Sequence, residues 1–104
     1  MRVAEFIEKN LRKTQDEIAY HTKQYKKFHT LKDHYLDFMA KAAERQEPHV
    51  IEEEISEADD NMKYHRDRLS YFSHLENVFY IARDAKAEEL NSLGKYNEAK
   101  EILR

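Results

Sequence analysis

Six histidines give this 104-residue chain its widest chemical reach: His21, His29, His34, His49, His65 and His74. Imidazoles gathered with carboxylates ligate zinc and other divalent ions. Glu17 lies four residues before His21 and Asp33 four after His29, one helical turn in each case. The Glu-x-x-His pairs of a di-iron bundle are missing, because no Glu stands three residues before any histidine. The spacing therefore predicts no metal centre and no cofactor. His21 and His65 read instead as polar core positions that fix how helices pair. Protonating all six histidines would carry the net charge from −3 to +3, which makes pH sensing the milder chemistry to look for.

Three further groups could bind rather than catalyse. Residues 1–45 hold ten Lys or Arg against seven Asp or Glu. Within them Lys9, Lys13, Lys23 and Lys27 follow roughly one side of a helical wheel with Tyr20 between them and Lys26 adjacent, a stripe able to track a phosphate backbone. The chain as a whole is acidic, which argues against nucleic acid, and Tyr25 and Phe28 fall where a core needs them. From Glu47 to Asn61 there are seven carboxylates and no Lys or Arg, with Glu53, Glu57 and Asp60 among them. Such a patch suits the N-terminus of a helix, or a basic partner. Tyr64 and Tyr71 stand seven apart in line with Val78 and Ala85, a stripe that suits either the C-terminal helix or a second protein.

The elements that must carry these residues are helices. Gly94 and Pro48 are the only glycine and proline, and Cys and Trp are absent. A β-rich fold needs turn residues far more often than that. Glycine-rich phosphate loops, nucleophile elbows, disulfides and thiolate metal sites are excluded on the same counts. No apolar run approaches the ~18–20 residues of a membrane span, so the expectation is a cytoplasmic protein without a membrane anchor.

From residue 2 to 45 one line runs Ala4, Ile7, Leu11, Thr14, Ile18, His21, Tyr25, Phe28, Lys32, Tyr35, Met39, Ala42, and nine of its twelve positions are apolar or aromatic. Steps of three and four mean a helix. At ~1.5 Å per residue it would run about 66 Å, and an internal break is most expected near Thr30, which could cap a new helix with Asp33 three residues on. A second line begins at Pro48 and reads Ile51, Ile55, Ala58, Met62, His65, Leu69, Phe72, Leu75, Phe79, Ala82, closing on Leu90 and Leu93 before Gly94. The stretch Leu90 to Leu103, LNSLGKYNEAKEIL, resembles the turn between the two helices of a tetratricopeptide repeat. That resemblance implies a tight turn at Gly94, with Tyr96 and Ala99 as packing residues.

The predicted fold is thus all-α, in a single domain. It is an antiparallel hairpin of helices over about 2–45 and 48–93, with a short helix over about 96–103. A turn at Gln46–Pro48 would oppose residues whose numbers sum to about 95, setting His21 near His74 and His29 near His65. Ten of the seventeen residues from Leu69 to Ala85 are apolar or aromatic, as are nine of the sixteen from Phe28 to Ala43. Helices apolar on more than one face need more than one neighbour. The expectation is a homodimer that completes a helical bundle and acts as a non-catalytic protein–protein interaction module, with a nucleic-acid-binding hairpin as the alternative.

Overall fold

The computed structural model describes residues 3–44 and 51–103. The chain folds into α1 (Val3–Ala43), α2 (Glu52–Ser92) and α3 (Tyr96–Ile102), and no strand occurs among the described residues. The two long helices pack against each other. The expected turn at Gln46–Pro48, the helix start at Pro48, and Glu47 and His49 lie outside the described residues.

α1 runs unbroken through Thr30. The reason is local. Asp33 does not turn back to cap Thr30; its carboxylate pairs with His29 Nδ1 at 3.3 Å across one helical turn, a contact that belongs to a continuous helix. Glu5 in the first turn and Lys41 in the last complement the helix dipole. α2 opens on Glu52, Glu53 and Glu54, which do the same, while buried Ile51 precedes it and its carbonyl accepts the Ile55 N–H at 2.9 Å.

By their contacts the residues fall into two compact units. One joins Met1–Glu17 to Tyr71–Arg104, and the other is Ile18–Ser70. In the first, α2 ends at a Gly94 held at φ +77°, in the left-handed region. The Lys95 N–H reaches the Leu90 carbonyl at 2.8 Å and the Gly94 N–H reaches that of Asn91 at 3.0 Å, the paired bonds of a Schellman motif. α3 then folds back so that Ala99 (1% exposed) packs on Ala87 and Leu90, with Ile102 at the edge. The tight turn expected from the tetratricopeptide likeness is present, and so is the packing role of Ala99. Tyr96 departs from it, since its ring is exposed. Leu93 is exposed too, so the apolar line of α2 closes at Leu90.

The second unit shows the antiparallel pairing directly: His21 meets His65, and further along α1 Lys32 meets Asp59 further back in α2. The expected partners of the histidines are thereby corrected. His74 is exposed, as is His29. Counting symmetrically from a turn ignored the faces of the helices. His21 and His65 both lie on apolar lines, whereas His74 and His29 do not, and only residues on the two lines can face each other.

Gly94 generates a prediction. Nothing lies within 4 Å of a Cβ placed there, so Gly94→Ala costs only backbone strain, about 1–2 kcal/mol. Thermal melts followed by circular dichroism should show a lowered Tm, with Gly94→Asn intermediate between the two. Equal Tm for all three proteins would remove the left-handed turn.

Candidate functional site

Twelve residues define the seam line of α1, and all twelve are buried or half-buried. Three of them are polar: Thr14, His21 and Lys32. Each is satisfied in its own way. Thr14 Oγ1 donates to the Asn10 carbonyl one turn back at 2.7 Å, so a buried hydroxyl asks nothing of α2. Lys32 Nζ donates to Asp59 Oδ1 at 2.7 Å across to α2, and Lys63 approaches the other carboxylate oxygen at 3.5 Å. The Lys32 hydrogen bond is the chief reason that Asp59 titrates below the usual aspartate range; loss of water opposes it, and the charges of Lys32 and Lys63 add to the lowering.

The third polar residue makes the most unusual contact. His21 and His65 are 4% and 6% exposed, and their Nδ1 atoms stand 2.7 Å apart. At that distance one Nδ1 carries a proton and the other accepts it. Phe28 stacks on the His65 ring at 5.8 Å between centroids, and Tyr20 and Tyr64 meet both imidazoles edge-on at 5.0–6.1 Å. This apolar wall explains why the His65 pKa falls below the ordinary histidine value: removal from water first, the neighbouring His21 second. Among the described residues no group of three or more His, Asp or Glu is arranged to hold a metal ion.

The other anticipated residues stay apart as small surfaces. In the second unit Lys23, Lys26 and Lys27 are exposed beside exposed Tyr20, and Lys27 Nζ lies 5.7 Å from the centroid of the Phe28 ring. In the first unit Lys9 and Lys13 share their surface with Glu5, Glu8 and Asp16, and Glu8 pairs with Arg12 at 2.7 Å. The basic stripe is therefore mixed in sign where those two lysines stand. Glu53, Glu57 and Asp60 are exposed, while Asp59 leaves the acidic patch for its ion pairs. Glu54 and Glu57 line a shallow groove of about 160 Å³ floored by Phe28, Tyr35 and Ala58.

Tyr64, Tyr71 and Val78 are all exposed, and within the first unit α3 leaves Tyr71 and Val78 uncovered. Sequence reasoning missed Ile81, the most exposed of the large apolar side chains at 67%. Its signal was available, since Ile81 follows Val78 by three residues and i, i+3 positions are neighbours on a helix surface. Gln15 Nε2 donating to the Tyr80 hydroxyl at 3.0 Å, and Arg83 lying over the Tyr80 ring at 4.9 Å, were also missed. No family model, curated protein or solved structure matches the chain. No described helix is long and apolar enough to cross a membrane.

The Lys32–Asp59 pair has a sign that can be checked. A carboxylate whose folded pKa is depressed adds stability above its unfolded value near 3.9, and that stability is lost as pH falls through the folded value. Asp59→Asn should lower Tm at pH 7 and leave it nearly unchanged relative to the natural protein at pH 2. An equal deficit at both pH values would show that packing, not charge, is what Asp59 contributes.

Proposed function

We propose that this chain is a non-catalytic helical interaction module that pairs with a second copy of itself through an exposed face of α2. One observation carries the reading. Tyr71 (54% exposed), Val78 and Ile81 fall on one side of α2 within the first unit, while no large side chain among the described residues is fully buried. Helices of this amphipathic kind gain most of their stability from packing, and a face that keeps aromatic and branched aliphatic side chains in water gains by being covered. Homo-oligomers close most often with two-fold symmetry, so one face meeting its own copy is the simplest cover. In the second unit Tyr64 offers a separate aromatic contact. Glu53, Glu57 and Asp60 supply an anionic surface for a basic protein partner.

The alternative is nucleic-acid binding through Lys23, Lys26 and Lys27 with Tyr20 beside them, all exposed in the second unit. The mixture of Lys9 and Lys13 with Glu5, Glu8 and Asp16 weakens it, since a phosphate-tracking surface needs one sign.

Light scattering across a wide concentration range should give a mass of twice 12.6 kDa, and Val78→Asp with Ile81→Asp should return it to 12.6 kDa with the helical signal kept. A mass of 12.6 kDa throughout for the natural protein would end the dimer reading. Fluorescence titration with single-stranded RNA tests the alternative: affinity would fall by roughly 0.7 of a log unit per decade of salt for each phosphate contact and vanish when the three lysines become Glu.

A further inference from the structure

We infer that the groove between α1 and α2 in the Ile18–Ser70 unit receives an arginine side chain presented by a basic protein partner. This rests on the reading of the acidic end of α2 as a surface for such a partner, and it is independent of the dimer, which concerns the other unit. The groove encloses about 160 Å³, lined from α1 by Phe28, Leu31 and Tyr35 and from α2 by Glu54, Glu57, Ala58 and Asn61. Pockets that hold whole small molecules run to roughly 300–1,000 Å³, so this one has room for a single long side chain. Its floor is apolar, and Ala58 is only 3% exposed. Its rim offers acceptors. Asn61 Nδ2 donates to the Glu57 carbonyl at 2.9 Å, which leaves the side-chain oxygen of Asn61 to accept. Glu54 and Glu57 are exposed and pair with no cation among the described residues, while Lys32 and Lys63 both go to Asp59. Three residues apart on one helix, the two carboxylates are neighbours.

An apolar floor under a rim of acceptors suits a side chain with an apolar stem and a donor head. Arginine meets both demands. Its planar guanidinium carries five donors, enough for two carboxylates and an amide oxygen, and its face lies well on an aromatic ring such as Tyr35. A lysine ammonium is compact and strongly hydrated, and it serves one carboxylate at a time. Free arginine would bring its own α-carboxylate to an acidic rim, a charge that an arginine within a polypeptide lacks. One cation of this chain stands near the floor: Lys27 Nζ lies 5.7 Å from the centroid of the Phe28 ring, which stacks on His65. Glu57 and Glu54 stand eight and eleven residues before His65 along α2, roughly 12 and 16 Å. Exposed charges are screened beyond roughly 8 Å at physiological salt, so Lys27 closes the Phe28 end to a second cation and leaves the carboxylate end open.

The probe is a blocked Ala-Leu-Arg-Leu-Ala peptide, titrated into the natural protein while backbone amide NMR shifts are followed. The Leu31 and Asn61 amides should move along a saturating curve. The lysine peptide and free arginine should each bind roughly fivefold more weakly or worse, and the neutral citrulline peptide should produce no shift. Glu54→Gln/Glu57→Gln should weaken the arginine peptide by a similar factor. Glu53→Gln/Asp60→Gln, whose residues do not line the groove, should leave it unchanged. If only the second pair of substitutions weakens binding, or if lysine or free arginine binds as well as the arginine peptide, the arginine site falls while the anionic surface stands. No shift with either charged peptide, or equal shifts with citrulline, removes both. Leu31 and Asn61 signals that move with protein concentration alone would put a second copy in the groove and overturn the arginine site.

Discussion

A seam between two helices offers one buried stripe on each, and that limit governs the rest of this molecule. An amphipathic helix in a larger protein hides a face of a hundred degrees or more. Here the described α1 residues below the half-buried class are few: Ile7, Thr14, His21 and Ala42. Apart from Ile7, the side chains that reach the centre of the seam are small or polar, and the bulkier Tyr25, Phe28, Tyr35 and Met39 lie partly in water. What the seam cannot cover appears on the surface as Phe6, Phe38, Tyr71 and Ile81. The shortage of core and the excess of exposed apolar surface are one fact seen from two sides.

This also explains which parts of the structure were legible in the sequence. The heptad lines predicted the seam down to its polar members, because a 3.5-residue period is a property of each helix alone and needs no knowledge of the partner. The Gly94 reversal was equally visible, since a left-handed residue after a helix is nearly always glycine and the chain has just one. Pairing across the seam was another matter. A turn position gives a mirror line only if the helices stop symmetrically about it, and His21 chose His65 over His74 by face, not by count. The face of Tyr71, Val78 and Ile81 was half legible: its apolar character could be read, but whether α3 covered it depended on where the chain turned at Gly94 and how short α3 is.

Charge follows a similar division between what is local and what is not. Arg12 with Glu8, Lys41 with Asp37 and His29 with Asp33 are neighbours one turn apart on exposed helix surface, worth a few tenths of a kcal/mol each and readable from spacing. Lys32 with Asp59 joins two helices and could not be read that way. It takes one carboxylate out of an acidic stretch that looked uniform in sequence. Glu53, Glu57 and Asp60 remain as the part of that stretch with charge to offer outward.

The polar members of the seam have a further consequence for how the two helices find each other. An apolar stripe of period seven is nearly self-similar, so sliding α2 by seven residues would still set apolar rows against each other. The polar contacts of the Ile18–Ser70 unit remove that degeneracy. A slip of one heptad would place Ala58 or Phe72 against His21, leaving a buried imidazole nitrogen without a partner. It would also set Arg66 or Glu52 against Lys32, and of these only Glu52 could pair with it. A lone unsatisfied buried polar group costs on the order of 1–3 kcal/mol, which exceeds what one more apolar contact at the seam returns. His21 and Lys32 thus weaken the core as hydrophobic material while specifying a single pairing. Thr14, which bonds to its own helix, specifies none.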